Sequence, residues 1–276
     1  MDLSVLALLA AMGVLAGIIN AAVGSGSLLT LPVLLAIGVP PGVAVRTNTI
    51  GMVFSTIGSV IGYRREIAEE SRTSRLLPLL ATTLVCAATG SVLLLISPGR
   101  ALEFVVPVLI VVALVLVLLQ PRIARSLARR RAADSAADGA AAQNESQGAL
   151  AGPDAYSSPA LLASMGAASL YGGYFTAAQG VLYLGVLGAF TGRPMKSVNA
   201  VKNLLSLIVN ATAAVVYLLA FAVTGAEIIW AASAAIAVGS LIGGYAGSHL
   251  AKRLPEGVLR GIIVLVAVVA LIRQLA

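Results

Sequence analysis

Asn199-Ala200-Val201-Lys202-Asn203-Leu204-Leu205-Ser206-Leu207-Ile208-Val209-Asn210 begins a run that stays apolar to Phe221 and carries one charge, Lys202. A lysine at the centre of a membrane helix costs roughly 2.5–3.5 kcal/mol on insertion-based scales, and less near an end, where it reaches water. Asn199, Lys202, Asn203, Ser206 and Asn210 recur at helical spacing and form one face of one helix. Such a stripe on an apolar helix should face protein or water rather than lipid. It predicts a lined pathway.

Composition agrees with a membrane reading. Only 11% of the 276 residues are charged, against about 25% in soluble domains, and the mean hydropathy is +1.00. Residues 3–46, 76–98 and 198–224 are long apolar runs of the kind that span bilayers. Cys86 is the single cysteine, which excludes an internal disulfide and argues against metal or redox clusters. No cofactor is implied. The net charge of +7 does not point to nucleic acid, because the basic residues gather between apolar runs, where they set orientation. Met1-Asp2-Leu3 lacks the basic start of a signal peptide, so the first run reads as a retained span.

The expected fold is all-α: a polytopic membrane helical bundle made of two inverted repeats of about five segments each. Ten segments can be drawn, at 3–21, 25–38, 42–63, 75–97 and 100–120, then 158–174, 178–191, 196–222, 226–250 and 256–275. Segments 25–38 and 178–191 are short for a core of about 30 Å. Counting them as broken or re-entrant leaves eight to ten crossings. Residues 1–120 form an N-terminal membrane repeat and 158–276 a C-terminal one. Between them, 121–157 starts with Arg122, Arg125, Arg129, Arg130 and Arg131 and continues as a small, polar tract, a flexible linker whose basic start marks it cytoplasmic. The loop with Arg64, Arg65, Arg72 and Arg75, and those with Arg193 and Lys196 and with Lys252 and Arg253, then also lie inside.

The halves resemble each other. A fixed offset places Thr47 on Lys202, Asn48 on Asn203, Ser55 on Asn210 and Gly17 on Gly172, and one two residues longer places Gly90-Ser91 on Gly247-Ser248. An odd number of segments per copy means that the second enters the membrane upside down. Inverted repeats with Gly-interrupted short segments at matching positions point to a secondary transporter with its site at the repeat interface. Coincidence between Ala/Gly-rich runs is the plain alternative.

The breaks supply candidate binding groups. Gly24-Ser25-Gly26-Ser27 precedes one short segment, and the backbone amides that open it, with the Ser25 and Ser27 hydroxyls, suit an anion. Tight Gly/Ser helix packing would leave the same pattern. The second break runs from Tyr171 to Gly180, with Thr176 and Gln179 as donors. From inverted copies, the two starts would meet at a common volume. Thr47 and Asn48 join the site from one repeat, and Asn199, Lys202, Asn203 and Asn210 from the other. Lys202 either contacts an anion or reaches the cytoplasmic headgroups. No acidic residue lies in the middle of a segment, so a proton relay through a buried carboxylate has no candidate. Gly239, Gly243 and Gly247 let helices approach closely, and His249 belongs at the membrane interface.

The first-half run from Gly24 through Pro32 to Leu35, followed by Gly38-Val39-Pro40-Pro41, Ala44 and Thr47-Asn48, resembles the sulfite exporter TauE/SafE family, also called the 4-toluene sulfonate uptake permeases. So do Tyr171-Gly172-Gly173-Tyr174-Phe175, Ala177-Ala178-Gln179-Gly180-Val181 and Asn199-Ala200-Val201-Lys202-Asn203. The resemblance covers the chain outside 121–157. It implies a multi-pass cell-membrane permease for small anions such as sulfite, organosulfonates or sulfur-containing carboxylates. Ser25 and Ser27 interrupt the family's glycine-rich stretch, and Arg46 stands where a small residue is expected. The expected function is alternating-access anion transport, without enzymatic activity, with the bilayer and a small anion as partners and homo-oligomerisation left open. A non-transporting scaffold and an intramembrane serine hydrolase using Ser25 and His249 are the rivals.

Overall fold

Proline and apolar length set the helix boundaries. The computed structural model describes residues 1–140 and 154–250 and is all-helical among them. The first half supplies α1 (Leu3–Ala22), α2 (Ser27–Ala36), α3 (Pro41–Gly62), α4 (Arg64–Thr73), α5 (Leu77–Ile96) and α6 (Gly99–Ala140). The second supplies α7 (Pro159–Phe175), α8 (Gln179–Phe190), α9 (Met195–Thr224) and α10 (Trp230–Leu250). Proline occupies the first turn of α3, α5 and α7, where its missing N–H would have had no helical partner.

Among the described residues, five helices are long and apolar enough to cross a bilayer: α1, α5, α9, α10 and the Gly99–Leu119 part of α6. α2 and α8 have 10 and 12 residues, and at 1.5 Å per residue they rise about 15 and 18 Å. Neither can cross a core of about 30 Å alone, as their sequences predict. Large apolar side chains face outward along the spans, among them Val85, Ile96, Leu219, Val238 and Ile242. In water that surface would be a liability; in lipid it is the solvated face.

Two elements differ from the sequence reading. The loop expected after α3 contains α4, a charged amphipathic helix that a search for apolar runs passes over. Helical backbone also continues through Ala140, across the first part of the stretch read as a flexible linker. The segment expected at 256–275 lies outside the described residues.

Lipid gives little hydrophobic incentive for helices to associate, so close backbone packing carries the association. Gly239, Gly243 and Gly247 of α10 lie against Ala10, Val14 and Ile18 of α1, so tightly that a methyl group on any of them would strike backbone. Gly173 of α7 and Gly90 of α5 make the same approach, against the Ala87 and Leu170 carbonyls. The exchange is reciprocal. The first helix of each half packs on the third long helix of the other (α1 on α10, α7 on α5), α3 packs on α10 as α9 does on α5, and α3 meets α9. Two buried clusters result, one centred on α1, α2, α3 and α6 and the other on α5, α7, α8 and α9.

Candidate functional site

Both breaks are sharp elbows. After α1, Gly24 takes φ +82°, a left-handed conformation that suits glycine. After α7 the left-handed residues are Thr176 (φ 58°) and Ala178 (φ 57°), not the glycines that the sequence singled out. Each costs of order 1–3 kcal/mol, and such strain persists only where the surroundings over-determine it. Gly180 is needed for space instead: it lies on Gly24, and its N–H donates to the Gly24 carbonyl at 3.1 Å. The two elbows therefore touch, backbone to backbone, as the matching of the halves predicts.

Gly180→Ala would drive a methyl group into the Gly24 backbone. Overpacking of this kind costs typically about 1–3 kcal/mol. The variant should melt several degrees lower in detergent, whereas Gly38→Ala should show only backbone strain, because nothing lies near its added methyl group. Equal melting of Gly180→Ala and wild type would refute the contact.

The polar side chains gather around the elbows. Ser25, Asn48, Lys202 and Asn203 are wholly buried, and Ser27, Thr176, Gln179 and Asn210 nearly so. Thr176 Oγ1 lies 3.3 Å from Thr49 Oγ1, linking the second elbow to α3. Thr30 Oγ1 of α2 donates to Asn48 Oδ1. Asn20 Nδ2 donates to Ser55 Oγ at 3.2 Å, tying α1 to α3.

Lys202 neither reaches the headgroups nor stands alone. Its Nζ donates to the carbonyls of Asn20 (3.1 Å) and Ala21 (3.2 Å), and Asn203 Nδ2 donates to the same Ala21 carbonyl at 3.3 Å. These carbonyls belong to the last turn of α1, where helical partners run out and partial negative charge collects. The ammonium thus caps α1 just before the first elbow.

Not every predicted residue joins this centre. Thr47 Oγ1 accepts from Ile229 N–H at 3.1 Å and its carbonyl accepts from Ser233 Oγ at 2.8 Å, so it anchors the start of α10. Asn199 Nδ2 donates to Tyr63 OH at 2.8 Å, toward the α3–α4 junction. Asn210 Nδ2 donates to its own helix at Ser206. Ser25 and His249 form no nucleophile–base pair: His249 bonds to Ser248 and Tyr245 at the exposed end of α10.

Several buried groups on the elbows and the two polar stripes have no protein partner: Ser25 Oγ, Asn48 Nδ2, Gln179 Oε1, Asn203 Oδ1, Ser206 Oγ and Asn210 Oδ1. Buried polar groups in native proteins are nearly all hydrogen-bonded. The unmet ones lie on both elbows and both polar stripes.

A second cluster escaped the sequence reading. Glu70 of α4 is buried, with its Oε1 3.1 Å from Arg193 Nε. Tyr156 OH and Ser74 Oγ each donate to the same oxygen at 3.1 Å, and Arg193 Nη2 donates to Ser74 Oγ at 2.7 Å. Burial and the Glu70 charge push the Tyr156 hydroxyl above its usual range, so it stays protonated as a donor. Lys196 and Glu66 add a more exposed pair at 3.5 Å. Together they clamp α4 of the first half to the start of α9 in the second. The only sequence hint was three glutamates, Glu66, Glu69 and Glu70, among the four arginines of that loop.

The family model for sulfite exporter TauE/SafE matches residues 9–273. The chain belongs to the TauE/SafE family. It is 27% identical over 255 residues to the probable membrane transporter protein YfcA of Escherichia coli strain K12, covering 92% of this chain and 84% of that one. YfcA proteins of the CFT073 and O157:H7 strains match equally. No solved structure matches. As a TauE/SafE member with apolar helices of spanning length, the chain is a multi-pass membrane transporter. The family's resemblance motifs at residues 24–35 and 171–181 are the two elbows, so they coincide with the chain's most unusual backbone.

Proposed function

We propose that this protein is a cell-membrane permease that moves a small oxyanion, such as sulfite or an organosulfonate, by alternating access between two inverted repeats. The observation that carries this reading is the contact of the two elbows amid buried polar groups without partners. The reciprocal exchange of helices between the halves supports the repeat relation. The Ser25 hydroxyl and Asn48 Nδ2, both buried without a protein partner, offer donors to an anion, and no carboxylate lies among the elbow and stripe residues to repel it. Glu70 and Arg193 then form the closure on one side of that site. Transport needs no covalent chemistry from these residues, and we assign none.

The test is flux. Purified protein in liposomes should pass labelled sulfite or a small sulfonate down its gradient. Asn203→Ala and Asn48→Ala should each cut the rate about tenfold, the effect of losing about 1.4 kcal/mol of transition-state stabilisation. Wild-type rates in the combined variant, with a clear signal over empty liposomes, would overturn the site.

A further inference from the structure

α3 and α10 end side by side, Gly62 against Ser248, and a cleft of about 360 Å3 opens there between them and the start of α4. Arg64, Arg65, Glu66, Tyr245, Ser248 and His249 help to line it, and Lys196 stands 3.5 Å from the Glu66 carboxylate. Arg64 and Arg65 are exposed and form no salt bridge among the described residues, whereas Arg75, Arg193 and Lys196 each have a carboxylate. His249 Nδ1 is engaged by Tyr245 O and Ser248 Oγ, both at 3.0 Å, which leaves Nε2 for a ligand.

The cleft continues into an apolar track. Val238, Ile242 and Tyr245 recur on one face of α10 and are exposed, as are Phe54 and Ile61 on α3. Gly58 brings α3 against the backbone of Leu241 and Tyr245, so these exposed apolar side chains stand on two closely packed helices. Two guanidinium groups with no salt bridge among the described residues, at a membrane boundary beside exposed apolar side chains, match an amphiphile with an anionic head.

We infer that this cleft binds the phosphate of an anionic phospholipid, with Arg64 and Arg65 on the headgroup and an acyl chain along Tyr245, Ile242 and Ile61. A soluble phosphate would use the guanidinium groups but leave the track empty. The site stands apart from the elbows and does not depend on the transport reading.

The test compares melting of the full-length protein in neutral detergent with added phosphatidylglycerol, phosphatidylcholine or inorganic phosphate. Phosphatidylglycerol at saturation should raise Tm by about 5 °C over phosphatidylcholine, and inorganic phosphate should not. Arg64→Gln/Arg65→Gln, both on the surface, should melt like wild type in phosphatidylcholine and lose most of the gain. Arg72→Gln, an exposed change on the same helix outside the cleft, should keep it. Equal melting in the two lipids, retention of the gain in the double variant, or an equal loss in Arg72→Gln would overturn the inference. A full gain from inorganic phosphate would overturn the lipid assignment.

Discussion

Lys202→Met is expected to lower both thermal stability and transport, because it removes two charge-assisted hydrogen bonds from the end of α1. Methionine keeps the length and apolar stem of lysine but cannot donate to the Asn20 and Ala21 carbonyls. Ala21 retains the Asn203 amide, so Asn20 is the carbonyl left without its donor. Hydrogen bonds to a charged group contribute about 1.5–3 kcal/mol each, while shedding a buried charge offsets part of the loss. A net loss of about 2 kcal/mol should lower Tm by about 4–8 °C in a chain of this size. Flux separates two roles. If the ammonium only caps α1, the rate falls with KM unchanged; if it also meets the anion, KM rises. A variant that melts and transports like wild type would remove Lys202 from both.

Glu70→Ala should have the larger effect on stability. It leaves the Arg193 guanidinium, 17% exposed in its side chain, without its carboxylate, and deprives Tyr156 and Ser74 of an acceptor. Breaking a buried pair from one side costs about 3–5 kcal/mol, much of it the stranded partner charge. Glu70→Ala/Arg193→Ala should therefore be less damaging than the sum of the single changes, with a coupling of about 1–3 kcal/mol. Strict additivity in a double-mutant cycle would show that the clamp contributes nothing as a pair. The cycle also bears on transport. If this clamp closes one side, weakening it should increase labelling of a cysteine placed at Asn199, which bonds to Tyr63 beside α4.

Much of this was legible in the sequence because membrane helices announce themselves by length and apolarity. α1, α5, α9 and α10 fall within a few residues of the runs that predict them, and the two short helices follow their glycine breaks. The elbow contact was legible only through repetition: neither break is persuasive alone, but matched positions imply a meeting. What stayed hidden depended on three-dimensional partners. Lys202 reads as an isolated charge until α1 brings it carbonyls from a distant part of the chain. Thr47 sits beside Asn48 in sequence, yet one turns to α10 and the other to α2. The strain at Thr176 and Ala178 was invisible because neither residue type announces a left-handed backbone. α4 carries too little apolar surface to register as a span, and its value lies in Glu70.

The exchange of helix partners between the halves also governs how this molecule can be made. α1 leaves the ribosome before its glycine-lined mate, α10, which follows about 200 residues later. At about 5–20 residues per second that delay is about 10–40 s. During it, the notch on α1 must be filled by lipid tails or by the insertion machinery. Neither half is thus a self-sufficient folding unit, and maturation waits on the translation of α10.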